Sequence, residues 1–147
     1  MAEASGQICR ESEILGNIAK QFNNKELSDV TLKVGEKSYY VHRFVLASHS
    51  TVFKTMLMNG QWKESEQKII KLEEEPKCKA VFDEFLKFLY SGKVSLNYRN
   101  LFGIHMLADK YDVPLLKEVT VNAMKDILSG EHESALPSSL AWLRHIE

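Results

Sequence analysis

The chain has little cysteine, no long apolar run and no excess of charge of either sign. Its two cysteines, Cys9 and Cys78, stand far apart, and no Asn-x-Ser/Thr acceptor occurs. Both features point to a reducing, intracellular setting and to thiols outside any structural disulfide. No stretch of 18 apolar residues exists, so no membrane-spanning helix is expected. The opening residues MAEASGQICRESE hold no apolar signal core. Nineteen basic and twenty acidic side chains are interspersed and leave a net charge of −1. Such a balance gives no general attraction to nucleic acid or to an anionic membrane. The seven glycines are scattered, without GxGxxG or GxxxxGK[ST], so no phosphate-cradling loop is encoded. GxSxG is absent too. His132-Glu133 begins like a zinc-protease HExxH, but Leu136 stands where the second histidine is required. His42 and His49, even with a cysteine, match no common zinc spacing. No catalytic residue, cofactor or metal is expected.

What the chain does have is enough apolar material for one packed domain: 44% hydrophobic and 27% charged over 147 residues. The stretch from Leu27 to Leu57 organises it. Val30, Leu32 and Val34 alternate with Thr31 and Lys33, which predicts a strand with one apolar face. Gly35-Glu36 suits a hairpin turn, and Tyr39 and Val41 form the apolar side of the returning strand. After His42 the period changes, and Phe44, Val45, Leu46 and Ala47 make a compact helical turn. Ser50 is placed to cap a further helix in which Val52, Phe53, Met56 and Leu57 share a side. Asn59-Gly60 reads as its left-handed end.

Elsewhere the pattern is mostly helical. Ile14, Leu15, Ile18, Ala19 and Phe22 recur at helical spacing ahead of Asn23-Asn24-Lys25. This amphipathic helix can cover its own domain or a partner. Gln67 to Leu72 predicts a strand, and Glu73-Glu74-Glu75-Pro76 a solvated boundary turn. Cys78 to Tyr90 reads as one central helix, rich in phenylalanine and ended by Ser91-Gly92. Lys93 to Leu96 suits an edge strand. Asn97 is placed to cap a helix carrying Leu101, Ile104, Ala108 and Tyr111. Pro114 opens another, with Leu115, Leu116, Val119, Ala123 and Ile127 as its apolar side. The final SSLAWLRHIE sets Leu140, Leu143 and Ile146 together, with Trp142 nearby. Trp62, in the polar run Gln61 to Glu66, either folds back on the domain edge or meets a partner. Asp29, at a strand start, reads as a turn-capping carboxylate. His42 reads as a half-buried histidine bonded to backbone.

Asp29-Val30, His42-Arg43, Val45-Leu46-Ala47, Ser50, Phe53 and Met56 together resemble the signature of the BTB/POZ domain. The resemblance runs over residues 8–128, with 131–147 as a C-terminal extension that looks like the start of a helical BACK region. It implies an α/β fold in which a small mixed sheet is flanked by helical hairpins. It also implies a homodimer, with the N-terminal helix swapped and Ile14, Leu15, Ile18, Phe22, Asp29 and Val30 at the interface. Trp62-Lys63-Glu64 is similar to the hydrophobic-x-Glu motif with which BTB adaptors grip cullin-3. Trp62 would enter a cullin pocket and Glu64 would order the loop or accept hydrogen bonds, with Phe53, Met56, Met58 and Tyr111 as further contacts. The implied role is that of a substrate adaptor of a ubiquitin ligase, cytoplasmic or nuclear, with the substrate-reading part outside this chain. A BTB transcriptional regulator that binds co-repressor peptides, or a scaffolding oligomeriser that ignores cullin, would share the same fold.

Overall fold

The computed structural model describes residues 6–59 and 67–129. Helix α1 (Glu11–Ala19) is followed by β1 (Val30–Val34) and β2 (Lys37–Val41). Gly35, at φ +61°, makes the turn between the two strands, a conformation that costs glycine little. Helices α2 (Arg43–His49) and α3 (Thr51–Met58) come next. The hydroxyl of Ser50 accepts from the backbone N–H of Phe53 at 2.9 Å, the expected cap. Asn59 leaves α3 in an extended conformation, and Gly60 lies outside the described residues.

Strand β3 (Ile69–Leu72) returns to pair with β1 in parallel, with Leu32 opposite Ile70, while β2 pairs antiparallel on the other side. The order is therefore β2-β1-β3, a mixed sheet. Pattern alone cannot assign that parallel partner, because periodicity reports a strand's buried face and not its neighbour. Val30, Leu32, Val34, Tyr39, Val41, Ile70 and Leu72 all bury the same face.

The apolar segment around Phe82 is two helices rather than one: α4 (Pro76–Lys79) and α5 (Phe82–Ser91). Pro76 opens α4 without losing a hydrogen bond, and the break at Ala80-Val81 lets α5 change direction. Phe82, Phe85, Leu86, Phe88, Leu89 and Tyr90 are buried under the sheet and its flanking helices. Gly92, at φ +72°, ends α5 as the left-handed cap expected there.

Residues 93–97 do not form the expected edge strand. Ser95 gives its carbonyl to the side chain of Asn100 at 2.8 Å instead of to a ladder partner. Asn100 also donates to Glu84 at 2.7 Å and accepts from the N–H of Asn97 at 2.8 Å. Asn97 itself closes a local turn by accepting from the N–H groups of Arg99 and Asn100, so it stands one turn before the helix it was expected to cap.

Helices α6 (Leu101–Lys110) and α7 (Pro114–Ser129) complete the domain as a hairpin broken at Asp112. The inward side of α7 is Leu116, Thr120 and Met124, not the expected Leu115 and Val119, which face solvent. The neighbouring α6 fixes that rotation of the helix.

Helices α4 and α6 meet at Gly103. A Cβ there would stand 2.7 Å from the carbonyl oxygen of Lys77 and 2.8 Å from a methyl of Val81. Gly103→Ala gains up to about 1 kcal/mol of helix preference. The clash is with backbone and costs more, about 1–3 kcal/mol. The denaturant midpoint should therefore fall at unchanged slope. A raised midpoint would show that α4 withdraws freely.

Candidate functional site

Two surfaces carry the residues singled out from the sequence. The first is α1. Ile14, Leu15 and Ile18 are 58%, 61% and 42% exposed, and no residue of the helix is buried. The helix is nonetheless held in place just after its end. Phe22 lies against Tyr39 and Tyr90, with ring centroids 6.2 and 5.3 Å away. Asn23, at φ +60°, bonds Tyr40 twice: its N–H donates to the Tyr40 carbonyl and its side-chain oxygen accepts from the Tyr40 N–H. The result is an anchored helix whose greasy side faces water.

Beside it, Asp29 is a capping carboxylate: Oδ1 accepts from the N–H of Arg43 at 2.8 Å, at the first residue of α2. Val30, expected at the interface, is buried in the sheet's own core. Its apolar side chain joins the main core because the strand alternation turns it inward. His42 is half-buried, as expected, but its partner is a side chain. The hydroxyl of Tyr90 accepts from the His42 backbone N–H at 2.9 Å and lies 2.7 Å from Nδ1. Burial holds the Tyr90 hydroxyl protonated well above its ordinary range.

The second surface is α3 and the turn beside it. Thr51, Val52, Thr55 and Met56 line a shallow depression of about 280 Å³. Met58, at the end of α3, is exposed. Asp112 ties this face to the α6–α7 turn by accepting from Thr51 at 2.5 Å and from Lys117 at 2.7 Å. Hydrogen bonds from Lys117 and Thr51 hold its carboxyl below the usual range.

Phe53 and Tyr111, expected among the partner contacts, do not reach this surface. Their rings stack on each other 4.4 Å apart at 8°, and Phe82 and Phe85 close around Tyr111. Both are buried inside the domain, so their side chains present nothing to a partner. A helical-periodicity argument groups an inward aromatic with its neighbours and cannot say how deep it lies. The hydroxyl of Tyr111 donates to Glu74, whose side chain is 2% exposed and also pairs with Lys110 at 2.9 Å. The run Glu73 to Glu75 is thus not a fully solvated turn. Its middle carboxylate is a buried partner, which no local sequence signal marks.

Trp62 and Glu64 lie in residues 60–66, outside the described residues. The two flanks of that segment are described, and a single side chain holds both. Arg43 donates to the carbonyls of Leu57, at 3.0 Å, and of Gln67. This role was not read from the sequence, because the two acceptors are backbone atoms brought together only by the fold. Among the described residues no cluster of three or more potential metal ligands occurs. Cys9 is exposed and Cys78 is buried, both as free thiols.

BTB/POZ domain-containing protein 17 of Mus musculus is 30% identical over 135 residues, which cover 87% of this chain and 27% of that protein. A BTB/POZ domain-containing protein of Arabidopsis thaliana is 31% identical over 128 residues, 84% of this chain and 59% of that protein. Kelch-like protein 41 of Mus musculus is 29% identical over 105 residues, 71% of this chain and 17% of its own length. The chain therefore spans little more than a quarter of protein 17. The solved BTB domain of zebrafish PATZ1 matches with a TM-score of 0.68 at 24% identity, over 84% of this chain and 99% of that one, which bears on the fold. The family model of the BTB/POZ domain matches residues 18–128. On that match the chain belongs to the BTB/POZ domain family, whose domain is a protein–protein interaction module.

Proposed function

We propose that this chain associates with a second copy through α1 and recruits cullin-3 through α3 and residues 60–66, as the adaptor part of a ubiquitin ligase in the cytoplasm or nucleus. The observation that carries the first half is the anchored helix that has no fully buried residue and keeps its large apolar side chains exposed. Ile14, Leu15 and Ile18 together offer a continuous apolar stripe, and such a stripe favours a partner over water. In the second half, the support is the order of the parts. The open depression on α3 and the exposed Met58 lead into Trp62-Lys63-Glu64, whose flanks Arg43 draws together. Substrate would be read by sequence beyond this domain.

The test is a titration of the cullin-3 N-terminal segment against the chain, with mass followed by light scattering. Trp62→Ala should weaken binding by roughly 2 kcal/mol, about thirtyfold, as the loss of a buried aromatic anchor does. Glu64→Ala should weaken it too. Equal affinity in all three proteins would take the segment out of the mechanism. Absence of any binding would leave a dimerising scaffold.

A further inference from the structure

Among the described residues, the domain has a second, smaller apolar cluster that is open on one side. Only Leu101 and Met124 in it are fully buried, while Leu96, Ala123, Ile127 and Leu128 pack around them half-covered. Leu96, Leu101, Ala123 and Ile127, with Tyr98, line a groove of about 410 Å³ between residues 96–101 and the last turns of α7. Its lining is almost wholly apolar, with Asp126 and Asn97 at the edges. The wall opposite α7 is rigid, because Asn97 and Asn100 tie the backbone there through five hydrogen bonds. Tyr98 stands on it 55% exposed. A preformed apolar groove of this kind gains free energy when a side chain replaces water.

We infer that the occupant is the chain's own C-terminal segment, residues 136–146. The groove lies where α7 ends, since Ile127 lines it, Leu128 packs beside it and Ser129 is the last residue of the helix. The sequence that follows, GEHESA, is mostly polar, and LPSSLAWLRHI then brings Leu136, Leu140, Trp142, Leu143 and Ile146. The six residues between Ser129 and Leu136 span at most about 21 Å, enough to turn back from the helix end. A tether that short keeps the apolar residues at an effective concentration in the millimolar range. Charge agrees as well: Arg144 follows the leucines, and Asp126 is the carboxylate at the groove's edge.

Trp142 reports on this directly. Trp62→Phe leaves it the only indole of the full chain. In that protein its emission should be blue-shifted and shielded from acrylamide. Ile127→Glu, and separately Tyr98→Glu, should shift it to the red and open it to the quencher, with the far-ultraviolet dichroism unchanged. Two variants on opposite walls guard against one that misfolds. Emission already as red as in urea would overturn the inference. So would a shielded indole indifferent to both wall variants, since the segment would then lie elsewhere. Shielding that fades on dilution would place the segment in a second copy, and it too would overturn the intramolecular occupant.

Discussion

Phe53→Ala is expected to destabilise the domain by about 3–5 kcal/mol. Phe53 is fully buried and stacks face to face on Tyr111. Tyr111 in turn meets Phe82 and Phe85, so the four rings fill the space between α3, α5 and α6. Removing one ring leaves a cavity that its aromatic neighbours cannot collapse into without losing their own contacts. The loss would be a large share of the roughly 5–15 kcal/mol that holds a domain of this size together. Phe44 is the control. It is 76% exposed on α2, and Phe44→Ala should change stability by under about 0.5 kcal/mol. Chemical denaturation of the two variants, followed by circular dichroism, decides the matter. Similar midpoints for both would mean that the ring cluster is loosely packed. A Phe53→Ala protein of full stability that failed to bind cullin-3 would return Phe53 to the surface.

The second large effect is on mass. Replacing Ile14, Leu15 and Ile18 together with aspartate should turn the protein from dimer to monomer in light scattering. Burying one such side chain contributes about 1.5–3 kcal/mol. Loss of three therefore removes upwards of about 4 kcal/mol, a thousandfold or more in the dissociation constant. Because none of the three side chains is buried within its own domain, the variant should keep its fold and nearly its denaturant midpoint per subunit. The anchors Phe22 and Asn23 are untouched and continue to hold the end of the helix. A parent protein already monomeric at micromolar concentration would remove α1 as an interface. A triple variant that stays dimeric would move the interface elsewhere on the domain.

Several features were legible before any coordinates. The alternation of Val30, Leu32 and Val34, the Gly35 turn and the Ser50 cap each depend on a few neighbouring residues, and each is found as expected. The exposed stripe of α1 was readable as a periodicity, though not its exposure. The failures share a cause. Lys93 to Leu96 has the composition of a strand, yet a strand exists only beside another, and the side chain of Asn100 took the place of a neighbour. Phe53 and Tyr111 sit on the apolar sides of their helices, as Met56 does, but depth depends on what packs above them. Glu74 looked like one solvated acid among three until Tyr111 and Lys110 closed over it.

By itself the sequence determined where each helix and strand of this protein could form and which side of each is apolar. Those properties arise from the spacing of side chains along one element and from the backbone limits of glycine, proline and serine at its ends. Only the tertiary structure decided which apolar side is buried and which is left for a partner. Burial is shared between elements far apart in the chain, so α5 vanishes into the core, while the similar stripe of α1 stays in water.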